Sequence, residues 1–299
     1  MTGDGRLEVV TANKGAQNPN VEMEAKAISW FSIEGDPLES ASWTEHELTR
    51  VRWPINAQPV DLDRDGDMDV VGGSTAEARI MWFENLGGGE FSEHPIQISG
   101  TAVPLDRRRP RELEREGAWV NGFNMAFVDM NRSGRLDIVL AEAGHTPVWL
   151  EQPSDPDGTW ELHAIGTHWP DQLVGLEVTD INGDGRPDVI TGGYSGGSRD
   201  QDDDLDLSAA MGRLAWFEHP GDLLAPWTRH DISRRKRGMF DKFVARDMDG
   251  DGDVDFVSTR GNSAPYDGVF WLEQVRSVEP RRSFEPARAV DSEEMRLAR

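Results

Sequence analysis

Residues 61–69 read Asp-Leu-Asp-Arg-Asp-Gly-Asp-Met-Asp, and this nine-residue pattern is written three more times along the chain. The further copies are DMNRSGRLD at 129–137, DINGDGRPD at 180–188 and DMDGDGDVD at 247–255. Each copy is followed directly by a short apolar, β-prone run, and a short alternating stretch precedes it. The repeat therefore predicts a unit made of a strand, an acidic loop and a second strand.

Two other elements recur along the chain, one after every acidic loop and the other after all but the last. The first contains a tryptophan, at Trp82, Trp149, Trp216 and Trp271, with an earlier copy at Trp30. The second reads aromatic-x-x-His-x-aliphatic and contains His46, His94, His163 and His230, which we expect to be structural hydrogen-bonding residues. Each unit thus holds strands A and B around the acidic loop, strand C with the tryptophan and strand D with the histidine. Four antiparallel strands per unit, repeated, predict an all-β fold, a β-propeller of four-stranded blades.

About five repeat units are expected, at approximately 1–50, 51–100, 120–167, 170–233 and 240–290. The propeller should span 1–275, and 276–299 should hold a degenerate last strand, around 284–290, and a tail. The first unit is truncated, because Met1 falls on loop position 2, which is apolar in every other copy. A chain that begins inside a repeat is consistent with upstream blades and a secretion signal. The alternative is a five-bladed ring closed by a C-terminal strand that the sequence does not make evident.

Composition excludes several classes of protein. The 299 residues include 31 Lys and Arg against 55 Asp and Glu, for a net charge of −24, which argues against nucleic acid or an anionic membrane surface as partner. No apolar run approaches the about 18 to 20 residues that a spanning helix needs, so membrane insertion is not expected. The absence of cysteine excludes disulfides, thiolate metal sites and cysteine nucleophiles.

The acidic loops have the composition of a site for Ca²⁺. Oxygen ligands at positions 1, 3, 5 and 9, with a glycine at 6 for the turn, suit a hard cation. An EF-hand is excluded because position 12 is never Glu, and solvated acidic turns, the other interpretation, become less favoured with four copies. The richest predicted sites are Asp61, Asp63, Asp65, Asp69 and Asp247, Asp249, Asp251, Asp255; then come Asp180, Asn182, Asp184, Asp188, and last Asp129, Asn131, Ser133, Asp137.

With an apolar strand after it, the pattern DxDxDGxxD resembles the FG-GAP or VCBS repeat of integrin-alpha-type propellers, over roughly residues 1–275. The resemblance implies a calcium-stabilised propeller whose metal loops join strands A and B on one face. Members are commonly extracellular adhesion or carbohydrate-binding modules, and a fungal aldos-2-ulose dehydratase and some polysaccharide lyases use related propellers. An extracellular, periplasmic or cell-surface location is implied. Ser133, the truncated first loop and a fifth unit without the strand D histidine depart from the pattern.

A ligand should bind at the end opposite the acidic loops. Because antiparallel strands alternate their ends, the D-to-A and B-to-C connections all lie there. The long insertions 97–122 and 192–212 fall in these connections, where binding residues are commonly found. The residues predicted to contact a ligand are Trp53, Trp119 and Trp169, which precede strand A, and Arg107 and Arg109 of the first insertion. Plugging the ring centre is the alternative role of the tryptophans.

Two functions remain open. The first is a calcium-stabilised binding module for a glycan or an extracellular protein, which needs no catalytic group. The second is a carbohydrate lyase or dehydratase, in which a His or Tyr abstracts a proton alpha to a carboxyl or carbonyl group. Candidate catalytic residues are His145, His168, Tyr194, Tyr266 and Arg109, with Arg260 as a second arginine. No catalytic motif supports the enzyme, so the binding module is favoured, and the oligomeric state stays open.

Overall fold

The computed structural model describes residues 1–14, 24–108, 113, 117–169, 171–194, 212–233, 238–261 and 267–276. The fold is all-β, and within these residues the only helical segments are two three-residue 3-10 turns, Ser40–Ser42 and Leu105–Arg107. A membrane-spanning helix is therefore not found in the described part of the chain. The chain divides into two compact units, one of residues 1–123, 132–138 and 150–163 and the other of 124–131, 139–149 and 164–299.

The described strands form five sheets. Sheet 1 contains β1 (Glu8–Ala12), β2 (Ala25–Ile33) and β3 (Trp43–Arg52), and sheet 2 contains β4 (Pro54–Val60), β5 (Asp69–Ser74), β6 (Arg79–Asn85) and β7 (Phe91–Pro95). Sheet 3 contains β8 (Gln97–Ser99), β9 (Ala126–Val128), β10 (Asp137–Glu142), β11 (Thr146–Glu151) and β12 (Thr159–Ala164). Sheet 4 contains β13 (Gln172–Thr179), β14 (Asp188–Tyr194), β15 (Leu214–Glu218) and β16 (Thr228–Ser233), and sheet 5 contains β17 (Phe243–Arg246), β18 (Asp255–Arg260) and β19 (Gly268–Leu272).

The predicted strand order is confirmed in the complete units. Sheets 2 and 4 are antiparallel and run A, B, C, D in chain order. Sheet 1 starts at strand B, as expected for a truncated first unit, and sheet 5 contains strands A to C. The predicted last strand around 284–290 lies outside the described residues.

One strand was not predicted. At the start of the insertion 97–122, β8 pairs in parallel with β12, with Gln97 opposite Thr159 and Ser99 opposite Glu161. This adds a fifth strand to the outer edge of sheet 3, in the order β8-β12-β11-β10-β9. Three residues carry too short a pattern to predict a strand, and covering an open edge removes a row of unpaired backbone groups.

The core is built mainly on strand B of each sheet. Val70, Val139 and Val189, on β5, β10 and β14, are fully buried, because these central strands are covered on both faces. One packed group of buried residues in the first unit consists of Ile28, Val51, Val70, Met81 and Phe83, and Val139 and Val189 belong to a packed group in the second unit.

Strand B also carries paired glycines, Gly72-Gly73 on β5 and Gly192-Gly193 on β14. A Cβ atom on Gly73 would lie 2.2 Å from the carbonyl oxygen of Asn121, in a D-to-A connection. A Cβ on Gly193 would lie 2.8 Å from the His168 ring. The glycines therefore let a connection pack directly on the backbone of strand B.

The strand D histidines are structural, as the repeat predicted. His46 and His230 stack on Trp30 and Trp216 of the neighbouring strand C, with ring centroids 3.9 and 4.3 Å apart. The ring nitrogens of His94, His163 and His230 are each 2.9–3.1 Å from the glutamate two residues beyond that tryptophan. Stacking and hydrogen bonding together fix the pairing of strands C and D.

A polar residue at the end of strand C ties one repeat to the acidic loop of the repeat before it. The side-chain amide of Gln152 donates to the carbonyl of Leu62, loop position 2, at 3.0 Å. Gln274 donates in the same way to Ile181 at 2.8 Å. Asn85 donates to the carbonyl of Met1 at 3.0 Å, which supports the alignment of Met1 with loop position 2.

Candidate metal loops

All four acidic loops share one backbone turn. Position 6 is a glycine with positive φ in each loop, at 99° for Gly66 and 93° for Gly252. Position 4 is also left-handed, as glycine in the third and fourth loops but as Arg64 and Arg132 in the first two, with φ of 64° and 59°. The four loops therefore share a backbone that is left-handed at two positions, which glycine adopts most readily.

The carboxylates converge most closely in the two loops that the sequence ranks as richest. In the first loop, oxygens of Asp61, Asp63 and Asp65 lie within 4.8 Å of one another, and Asp247, Asp249 and Asp251 do the same in the fourth. The Oδ1 atom of Asp61 is buried and has no hydrogen-bond partner among the described residues. Burial raises the pKa of Asp63, and the charges of Asp65 and Asp61 raise it further. Such a cluster of acceptors fits a hard, oxygen-preferring cation.

The position-9 aspartates have a structural task that the sequence did not reveal. Asp69 is buried and accepts hydrogen bonds from the backbone amides of Leu62, at 3.1 Å, and Asn85, at 2.8 Å. These bonds do not offset burial, which raises the pKa of Asp69 to about 6. The equivalent Asp137, Asp188 and Asp255 are also buried and accept the amide that follows strand C. Position 9 therefore fastens each loop to the end of strand C.

The third loop is held by its own donors. Asp180 accepts hydrogen bonds from the amides of Gly183 and Gly185, both at 2.8 Å. Asp184 is paired with the guanidinium of Arg186, and the side-chain amide of Asn182 donates to the same carboxylate at 3.1 Å. These residues therefore have partners within the chain.

The second loop is linked to its surroundings through arginines. Arg135 donates from Nε to the carbonyl of Gln152 at 2.9 Å, and the guanidinium of Arg64 in the first loop donates to the carbonyl of Gly134. Ser133 accepts a hydrogen bond from the amide of Arg135 at 3.4 Å. With Asp129 and Asn131, this loop offers fewer carboxylates than the others.

At the other end of the sheets, the two kinds of connection meet as the topology predicted. In the first unit, the amide of Thr75, in a B-to-C turn, donates to the carbonyl of Trp53, in a D-to-A connection, at 3.1 Å. In the second unit, the amide of His168 donates to the carbonyl of His145 at 2.8 Å. The ring of His145 meets Trp169 edge-on, with centroids 5.1 Å apart. The structure thus brings together three of the predicted site residues.

His168 is completely buried, which favours a structural role. Its ring nitrogens lie 3.1 Å from the carbonyl of Arg213 and 3.2 Å from the hydroxyl of Thr191. Burial lowers the pKa of His168 to about 3, and the nearby charge of Arg229 lowers it further, so the ring is neutral at pH 7. A buried ion pair between Asp171 and Arg213, at 2.7 Å, lies beside it.

The three predicted ligand-contacting tryptophans differ in exposure. Trp169 is 47% exposed, whereas Trp119 is 8% exposed and its ring is closed to solvent. Trp53 is half-buried with φ of 54°, and the ammonium of Lys14 lies 5.7 Å from its ring centroid. Of the three, Trp169 is the one that can present a ring to a ligand.

The remaining predicted residues are spread along the same connections. Arg107 is exposed in a 3-10 turn, whereas its neighbour Arg108 donates to the carbonyls of Val103 and Gly117 and holds the insertion together. Tyr194 ends β14 and forms a backbone bridge with Met239. Arg109 and Tyr266 lie outside the described residues, as does most of the insertion 192–212.

Comparison with known families tests the repeat directly. The family model of the FG-GAP-like repeat matches residues 1–72 and 129–191. Two regions of the chain are thus similar to the FG-GAP-like repeat. The matched stretches of FG-GAP-like sequence include the truncated first copy and the first three acidic loops. None of the curated proteins matches the chain.

Solved structures that match this chain include the NanB sialidase of Streptococcus pneumoniae in complex with 2-[(3-chlorobenzyl)ammonio]ethanesulfonate. That match has 12% identity and a TM-score of 0.43, and it covers 78% of this chain and 32% of the sialidase. A second, described as NanB plus Optactamide, has 11% identity and a TM-score of 0.45, and covers 83% of this chain and 36% of that one. The chain thus spans about a third of the length of these two matched structures.

Proposed function

We propose that this chain is a β-propeller binding module with about five repeat units, stabilised by calcium at its acidic loops. The A-to-D strand order of sheets 2 and 4 and the FG-GAP-like repeat support the propeller. The calcium proposal rests on the convergence of three carboxylates in the first loop. One of their oxygens, Oδ1 of Asp61, is buried and has no hydrogen-bond partner among the described residues. FG-GAP-type propellers are commonly extracellular, so an extracellular, periplasmic or cell-surface location accompanies it.

The chain's own residues would hold the cation. Asp61, Asp63 and Asp65 would ligate it in the first loop, and Asp247, Asp249 and Asp251 in the fourth. Ca²⁺ accepts about six to eight oxygen ligands at flexible geometry, so carboxylates, loop carbonyls and water complete its shell. When bound, the ion supplies charge neutralisation, which removes the repulsion among the three carboxylates.

Calcium should raise the thermal stability of the chain. We expect the melting temperature in millimolar Ca²⁺ to exceed that in excess EGTA by several degrees, because a ligand that binds only the folded state stabilises it. Mg²⁺ should have a smaller effect, since it requires stricter geometry. The measurement is thermal unfolding by circular dichroism.

Two variants make this test specific. Asp63→Ala combined with Asp249→Ala should abolish the shift, whereas Asp222→Ala, which removes an exposed turn aspartate, should retain it. A melting temperature that is the same in EGTA and in Ca²⁺ would contradict the calcium proposal.

We further propose that the connections opposite the acidic loops bind a glycan or an extracellular protein. The exposed ring of Trp169, held edge-on by His145, is the observation that favours this surface. Aromatic rings bury large apolar areas and pack on the C–H faces of sugars. The strongly acidic composition is consistent with a neutral or basic partner.

Replacement of Trp169 should weaken ligand binding. We expect the calcium-loaded chain to bind a defined glycan class on a glycan array, and Trp169→Ala to lose at least tenfold in affinity through the missing aromatic contact. Trp271→Ala is the matched control, because this tryptophan is 45% exposed but lies on strand C of sheet 5. Equal losses in both variants, or no glycan bound by the wild-type chain, would count against the glycan proposal.

A further inference from the structure

The four acidic loops fall into two kinds according to their seventh residue. This residue is Asp67 in the first loop and Asp253 in the fourth, but Arg135 in the second and Arg186 in the third. The first loop contains five aspartates and one arginine, and the fourth contains five aspartates and no arginine. The third loop contains three aspartates and one arginine. The second loop contains two of each. The first and fourth loops therefore carry much more uncompensated negative charge than the other two.

In the third loop, the seventh residue neutralises the fifth. The guanidinium of Arg186 forms an ion pair with the Oδ2 atom of Asp184, and the side-chain amide of Asn182 donates to the same atom. Charge-assisted bonds between arginine and carboxylate are among the stronger hydrogen bonds in proteins. The carboxylate at position 5 thus already has a cationic partner from the chain.

In the fourth loop, the seventh residue has the opposite effect. Asp253 is 8% exposed, and its Oδ1 has no hydrogen-bond partner among the described residues, while Arg276 Nε lies 3.6 Å from its other oxygen. Its backbone amide donates to Asp251, which places a second carboxylate beside position 5. Asp247, at position 1, accepts backbone amides much as Asp180 does in the third loop. The charged residues of the two loops therefore differ at position 3, where Asn182 stands in place of Asp249, and at position 7, where Arg186 stands in place of Asp253.

We infer that Arg186 takes the place of a calcium ion in the third loop, so that this loop keeps its fold without metal while the first and fourth loops bind it. A cation entering the third loop has to displace the guanidinium from Asp184, which costs the ion pair. The inference rests on the proposed binding of calcium, and it assigns the ions to the first and fourth loops. The chain should therefore bind two calcium ions.

Calcium stoichiometry tests this inference. Isothermal titration of the metal-free chain with CaCl₂ should give two sites in the wild type and three in Arg186→Asp, which copies the seventh residue of the metal-binding loops. Arg50→Asp changes the net charge equally on β3, outside all four loops, and should keep two sites. An unchanged stoichiometry in Arg186→Asp would overturn the role of Arg186.

A second variant covers the case in which Arg186→Asp does not fold. Asp184→Ala should leave two sites, because the third loop holds no ion in the wild type. Loss of a site in Asp184→Ala overturns the inference but leaves the calcium proposal standing. Absence of calcium binding in the wild type overturns the calcium proposal itself, so the two failures are distinguishable.

Discussion

Asp188→Ala should lower the free energy of unfolding by about 4 kcal/mol, and should do so in EGTA as well as in calcium. The carboxylate of Asp188 is buried and accepts hydrogen bonds from the amides of Ile181, at 2.9 Å, and His219, at 2.8 Å. A third bond comes from Asn182 at 3.3 Å. Alanine leaves these donors without an acceptor, and each unsatisfied buried group costs about 1–3 kcal/mol. Urea denaturation in EGTA measures the effect without any contribution from metal.

The matched control for Asp188 is Asp222. Asp222 also accepts a backbone amide, that of Leu224 at 3.0 Å, but in an exposed turn where water can replace it. Asp222→Ala should therefore change the free energy of unfolding by less than about 1 kcal/mol. If Asp188→Ala destabilised the chain only in calcium, the position-9 aspartate would be a metal ligand and not a structural fastening.

Gly73→Ala should also destabilise the fold strongly, by about 3 kcal/mol or more, because overpacking against backbone cannot be relieved by a side-chain rotation. The added Cβ would lie 2.2 Å from the carbonyl oxygen of Asn121 and 2.9 Å from the Cα of Gly122. The strand and the connection would have to move apart. Thermal unfolding and urea denaturation both measure this change.

Gly261→Ala provides the comparison for Gly73. The nearest atom to a Cβ at Gly261 is the Cε of Met239, at 3.9 Å, which is an ordinary van der Waals contact. We expect this variant to unfold within a few degrees of the wild type. Equal stability of the two variants would show that the D-to-A connection does not pack on strand B as described.

For the acidic loops, the sequence pattern and the tertiary structure agree in part. The spacing of Asp61, Asp63 and Asp65 alone ranks the first loop among the richest, and the converging oxygens agree with that ranking. The interpretation of Asp180 and Asp184 changes when Arg186 is seen to pair with Asp184. The pattern DxDxDGxxD leaves position 7 open, so the pattern alone assigns no role to Arg186.

Some conclusions follow from the sequence alone. The order of strands, the position of the acidic loops and the structural role of the strand D histidines were predicted correctly, because each is a local pattern repeated four or five times. The partners of those histidines on strand C were not predicted. Repetition separates such a pattern from chance, and antiparallel alternation then places the connections at one end of the sheets.

Other features depended on contacts between residues far apart in the chain. Gln152 reaches Leu62 across 90 positions, and Gly73 is required because of Asn121. The burial of His168, a candidate catalytic residue in the sequence, follows from its contacts with Thr191 and Arg213. Hydrogen-bond partners and burial are properties of the packed chain, so only the tertiary structure could decide which polar residues hold the fold together and which are left to bind a ligand.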